Sequence, residues 1–121
     1  MAKFQQFEDI GAWQKARGLV GDVYMITGDG KFGRDFGLKD QIRRASVSVM
    51  LNIAEGFARR GDKQFGQFLH IAQGSVAEVQ SALYIALDLK YIDKGSFDLL
   101  YNQCTEISKM LSGPITYLRS S

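Results

Sequence analysis

The chain has 121 residues, 45% hydrophobic and 23% charged, with one proline; this is the make-up of a compact folded protein with one core, not of a disordered or two-domain chain. A single cysteine, Cys104, excludes an internal disulfide, the opening MAKFQQFEDIGAW lacks the apolar run of a secretory signal, and no stretch reaches the roughly 18 apolar residues of a membrane span. The expectation is one domain over residues 1–121, in the cytoplasm. The formal net charge is only +2, yet Lys31 to Lys63 holds eight basic residues against four acidic ones, which concentrates positive charge in the middle of the chain.

The first periodic segment runs from about Ile10 to Thr27, with Asp9 as its expected N-cap and Ile10, Trp13, Ala16, Val20 and Val23 at helical spacing. Gly11, Gly18 and Gly21 weaken it by up to about 1 kcal/mol each relative to alanine, so packing has to stabilise it. A glycine-rich and charged loop is expected from Gly28 to Gly37. The second helix extends from about Leu38 to Ala58, with Leu38, Ile42, Ala45, Val49 and Gly56 on one track.

The third helix, about Lys63 to Lys90, would be on the order of 40 Å long at 1.5 Å per residue, its start capped by Gly61 or Asp62. It carries two apolar stripes: Phe65, Leu69, Ala72, Val76, Val79, Leu83 and Ala86, and beside them Phe68, Ile71, Ser75, Glu78, Ala82, Ile85 and Leu89. An arc this wide fits either a central helix touching two partners or a contact with another subunit. Asp93 or Ser96 caps a fourth helix reaching about Leu118, with Phe97, Leu100, Cys104, Ile107 and Leu111 inward and a kink or early stop expected at Pro114. Four helices with short connections give an all-α, antiparallel up-down-up-down four-helix bundle.

The most informative segment is Gln41 to Gly56, QIRRASVSVMLNIAEG. Gln41, Arg44, Ser48, Asn52 and Glu55 form one polar stripe on an otherwise apolar helix. Buried charges need partners, so Arg43 or Arg44 is expected to pair with Glu55 or with Glu78 of the next helix, while Ser48 and Asn52 satisfy the remaining donors and acceptors. Such a network would set helix register and subunit orientation, and Glu55→Ala would destabilise the fold or the oligomer.

In Gln41, Arg43, Arg44, Ala45, Ser48, Asn52, Ile53, Ala54, Glu55 and Gly56, followed by Phe65, Ala72, Gly74, Ser75 and Glu78, the chain resembles the four-helix bundle proteins encoded in intervening sequences of bacterial 23S rRNA genes. Trp13, Ala16, Tyr24, Thr27 and Leu38 also fall where that pattern puts them, so the resemblance covers nearly the whole chain. It departs at Phe32-Gly33, where the family usually has Phe-Pro. The resemblance implies a small helical cytoplasmic protein without enzymatic activity that assembles as a homo-oligomer, a pentamer being favoured. A related branch, the accessory protein of diversity-generating retroelements, is a basic pentameric barrel that engages nucleic acid.

Enzyme signatures fail on physical grounds. Gly28-Asp29-Gly30-Lys31-Phe32-Gly33 matches GxGxxG, but a dinucleotide fingerprint follows a strand and opens a helix, whereas this one follows a helix. A di-iron bundle needs Glu-x-x-His on two helices, and the only histidine, His70, has Gln67 three residues earlier. Cys104 sits on an apolar track with nothing to lower its thiol pKa, and Glu55 with Glu78 make a carboxylate pair without a visible substrate pocket. No catalytic residue, metal site or cofactor is therefore expected. Two non-enzymatic readings stand: association with RNA or DNA through phosphate contacts from Arg34, Lys39, Arg43, Arg59, Arg60 and Lys63, or an oligomeric scaffold binding a protein partner through a helical surface.

Overall fold

The computed structural model describes residues 4–119. A 3₁₀ turn at Phe7–Asp9 precedes α1 (Gly11–Ile26), a short α2 (Gly30–Arg34), α3 (Phe36–Ala58), α4 (Asp62–Asp88) and α5 (Lys94–Arg119), and the described residues contain no strand. The four long helices lie antiparallel to their neighbours. The end of α1 meets the start of α3, where Arg43 bonds to Thr27 and Tyr24. Gly56 near the end of α3 approaches Phe65 and Phe68 at the start of α4. Gln73 and Gln80 of α4 bond to Ser108, Ser112 and Thr105 of α5 in reversed order. Gln103 and Glu106 of α5 reach back to Asp22 and Lys15 of α1, which closes the ring of helices.

The tracks read from periodicity form the core. Ile42, Ala45, Val49 and Gly56 of α3 are buried, as are Phe65, Leu69, Ala72, Val76, Val79, Leu83 and Ala86 of α4 and Phe97, Leu100, Cys104, Ile107 and Leu111 of α5. In α1 the inward face is set by Ala12, Ala16, Leu19 and Val23, so it is rotated slightly from the expected track: Val20 and Trp13 are only half-buried. The second stripe of α4 divides. Ser75 and Ala82 are buried, whereas Ile71, Glu78, Ile85 and Leu89 face out.

Local chemistry corrects four boundaries. Asp9 does not cap α1; its carboxylate accepts from the backbone N–H groups of Gln5 and Gln6, both at 3.2 Å, and closes the 3₁₀ turn, leaving Ile10 at the helix start. The loop expected over 28–37 contains α2, because Phe32 is driven into the core and anchors a turn whose glycines hide its helicity. Within it Gly30 has φ +64°, a conformation glycine adopts without steric cost. The next helix begins at Phe36 because Asp35 caps it, accepting from Leu38 N at 3.1 Å. No early stop occurs at Pro114: α5 runs on to Arg119, since Ile115 and Leu118 are buried against the bundle. Asp93 takes its expected capping role, accepting from Ser96 N at 2.7 Å. No helix among the described residues is long and apolar enough to cross a membrane.

Candidate nucleic-acid interface

The polar stripe of α3 separates into a half-buried centre and two exposed ends. At the centre Ser48 Oγ and Ser75 Oγ lie 2.9 Å apart across the α3–α4 seam. Asn52 Nδ2 donates to both the Ser48 carbonyl at 2.8 Å and its hydroxyl at 2.9 Å. These three residues tie the register of α3 and α4, as a small polar cluster in an apolar seam can. The charged members do not join them within one chain. Arg44 pairs with Asp40 at 2.8 Å and Glu55 with Arg59 at 2.7 Å, both as exposed i,i+4 pairs along α3, while Gln41 and Glu78 are exposed. The spacing of side chains on one helix wins here: Asp40 lies one turn before Arg44, and Arg59 one turn beyond Glu55. No buried side-chain nitrogen or oxygen among the described residues lacks a partner.

The six basic residues singled out by sequence fall at opposite ends of α3, which spans about 33 Å at 1.5 Å per residue. At its start are Arg34, Lys39 and Arg43. Arg43 is committed to the fold: its guanidinium lies 4.2 Å from the Tyr24 ring centroid and its Nε donates to the Thr27 hydroxyl at 2.8 Å. Thr27 is wholly buried, and its hydroxyl in turn donates to the Val23 carbonyl at 2.7 Å. Lys39 leans over the Phe36 ring at 5.5 Å, and Arg34 is exposed without an ion-pair partner among the described residues.

At the other end, the α3–α4 connection holds Arg59, Arg60 and Lys63, all exposed. Arg59 is shared between Glu55 and the Phe68 ring, 5.1 Å away. The side chains of Arg60 and Lys63 have no ion-pair or hydrogen-bond partner among the described residues. Arg60 adopts φ +61°, the left-handed region that turns the chain from one helix to the next and is costly for a residue with a Cβ. The outcome is a fixed corner from which cations project into solvent.

Sequence reasoning missed Phe36, a residue 74% exposed, and the bond from Tyr91 OH to Asp35 Oδ2 at 2.9 Å that joins the α4–α5 turn to the α3 cap. Tyr91 belongs to no helical track, so periodicity carried no signal for it. That hydrogen bond to Asp35 is the main reason the Tyr91 phenol is held above its ordinary pKa. The backbone N–H of Ser96 holds the Asp93 carboxyl below its usual value. Burial pushes the Cys104 thiol up to about 12, which leaves it a protonated core side chain. Among the described residues no three of His, Cys, Asp or Glu gather as a metal site would require.

This geometry defines a helical bundle with a register-setting polar seam and cations displayed at its ends. Residues 8–113 match the model of the family described as 23S rRNA-intervening sequence protein, and the chain belongs to that family. A crystal structure of a protein of unknown function from the S23 ribosomal protein family of Bacteroides thetaiotaomicron superposes with a TM-score of 0.78 at 23% identity, covering 86% of this chain and 97% of that one; the likeness is one of fold. No curated protein matches the sequence.

Proposed function

We propose that the chain is a non-enzymatic, cytoplasmic, homo-oligomeric bundle that associates with RNA or DNA through the basic corner at the α3–α4 connection. The observation that carries this reading is the pair Arg60 and Lys63, exposed beside Arg59 and without partners among the described residues. Unpaired cations on a rigid corner are suited to phosphate contacts, which set position without reading sequence. Assembly is supported by the apolar side chains on the outer faces of α3 and α4, including Leu51, Ile71, Ile85 and Leu89, each about half or more exposed in the single chain. A closed ring, with a pentamer favoured by the family resemblance, would repeat the corner around its axis and multiply a modest charge per chain.

A scaffold binding a protein partner is the second reading. It is favoured by an apolar hollow of ≈ 330 Å³ between α1 and α5, where Met25 and Leu99 stand exposed. Salt separates the two, since phosphate contacts release counterions and weaken steeply with ionic strength, whereas an apolar helix contact does not. Purified protein freed of nucleic acid is titrated with labelled structured RNA and duplex DNA across a salt series. Steep salt dependence that is lost in Arg59→Ala/Arg60→Ala supports the first reading; no binding at low salt directs the search to protein partners.

A further inference from the structure

At the end of the bundle opposite that corner, Phe36 opens α3 with its ring in solvent. Two open hollows share this ring as a wall. One, of ≈ 470 Å³, is completed by Gly37, Lys39, Asp40 and Arg43; the other, of ≈ 500 Å³, by Lys31, Arg34, Asp35 and Tyr91. Each side of the ring therefore offers two cations and one carboxylate. Both carboxylates are already engaged: Asp35 accepts from Leu38 N and Tyr91 OH, and Asp40 from Arg44. Of the cations, Arg43 is held by Thr27 and Tyr24, but the other three are less committed. The side chains of Lys31 and Arg34 have no ion-pair or hydrogen-bond partner among the described residues, and Lys39 leans over the Phe36 ring without one.

The ring's base is rigid. The bonds of Asp35 tie the first turn of α3 both to its own backbone and to the α4–α5 turn, so the backbone that carries the ring is held in place. An exposed flat ring between two sets of cations is the arrangement that holds single-stranded nucleic acid, in which a base stacks on the ring and its neighbouring phosphates meet the charges. A base pair in the interior of a duplex is stacked on both faces and has none free to offer. We propose that Phe36 is a stacking platform for an unpaired nucleobase, with Lys31, Arg34 and Lys39 contacting the adjoining phosphates. This rests on the nucleic-acid reading above and assigns this end of the bundle, and not the corner at Arg60, a single-stranded or looped stretch of RNA or DNA.

The test uses fluorescence anisotropy at low salt with a labelled oligothymidylate single strand and a labelled long blunt-ended duplex without a loop, against wild type, Phe36→Ala, Phe36→Trp and Arg59→Ala/Arg60→Ala. Phe36→Ala is expected to lose about tenfold in affinity for the single strand, the order of one lost base–aromatic stack, and to bind the duplex as wild type does. Phe36→Trp is expected to keep single-strand affinity, with its added indole emission quenched on binding. Wild-type affinity of Phe36→Ala for the single strand overturns the platform while leaving the broader reading intact. So does an equal loss on both probes, or a change in oligomer mass by light scattering, which would make this face a contact between copies. If wild type binds neither probe, the nucleic-acid reading itself falls and the platform with it.

Discussion

Single residues show where stability and function pull apart. Arg60 is a side chain in a backbone conformation that glycine adopts more easily, and its charge points into solvent without a partner among the described residues. Arg60→Gly is expected to raise stability by about 0.5–1 kcal/mol in denaturant melts while lowering affinity for nucleic acid; a variant that gains stability and loses no affinity would remove Arg60 from the interface. Cys104 gives a second test. Burial raises its folded pKa to about 12 from an ordinary 9.0, so its contribution to stability is complete below about pH 9 and declines as pH rises toward 12, where only the unfolded chain ionises freely. A thiol reagent at pH 8 should label the native protein negligibly and the denatured protein fully, and rapid native labelling would contradict its burial.

Helices and their connections show what a sequence can carry. Apolar spacing was enough to locate the inward faces of α3, α4 and α5, because residues such as Ile42, Val76 and Ile107 recur at the helical period and are fully enclosed. Competition between alternative partners was not legible. Asp9 had the composition of a cap but turned its carboxylate to Gln5 and Gln6, and α2 formed where glycines argued for a loop because Phe32 had a core to enter. The charged part of the candidate site misled for a related reason: Arg44 and Glu55 are about three turns apart but each has an opposite charge one turn away, so local pairing preceded cross-helix pairing. Gly56 is the sharpest element-level prediction. A Cβ there would lie 2.6 Å from Phe68 Cβ and 3.1 Å from Phe65 Cδ1, where α3 packs against the start of α4. Gly56→Ala should destabilise the bundle by about 1–3 kcal/mol in spite of its better helix propensity, whereas Gly18→Ala, with nothing within 4 Å, should stabilise it by up to about 1 kcal/mol.

Across the whole molecule, the core is closed but the outer surfaces of α3 and α4 are not. Within one chain the Glu55–Arg59 pair is solvent-exposed and is worth only about 0.3–0.5 kcal/mol. Glu55→Ala is therefore expected to change monomer stability little; a loss of assembly in light scattering would place Glu55 in a contact between copies, and unchanged mass and melting temperature would remove that role. The bundle, its polar seam and its displayed cations are united by one claim, that the family fold here carries a phosphate-binding corner. The most direct test is the salt dependence of RNA and duplex DNA binding by the assembled protein and by Arg59→Ala/Arg60→Ala. Affinity that falls steeply with salt in wild type, with a shallower slope and weaker binding in a variant that still folds and assembles, is the predicted result. An identical slope and affinity in the two proteins, or no binding by wild type at low salt, would contradict it.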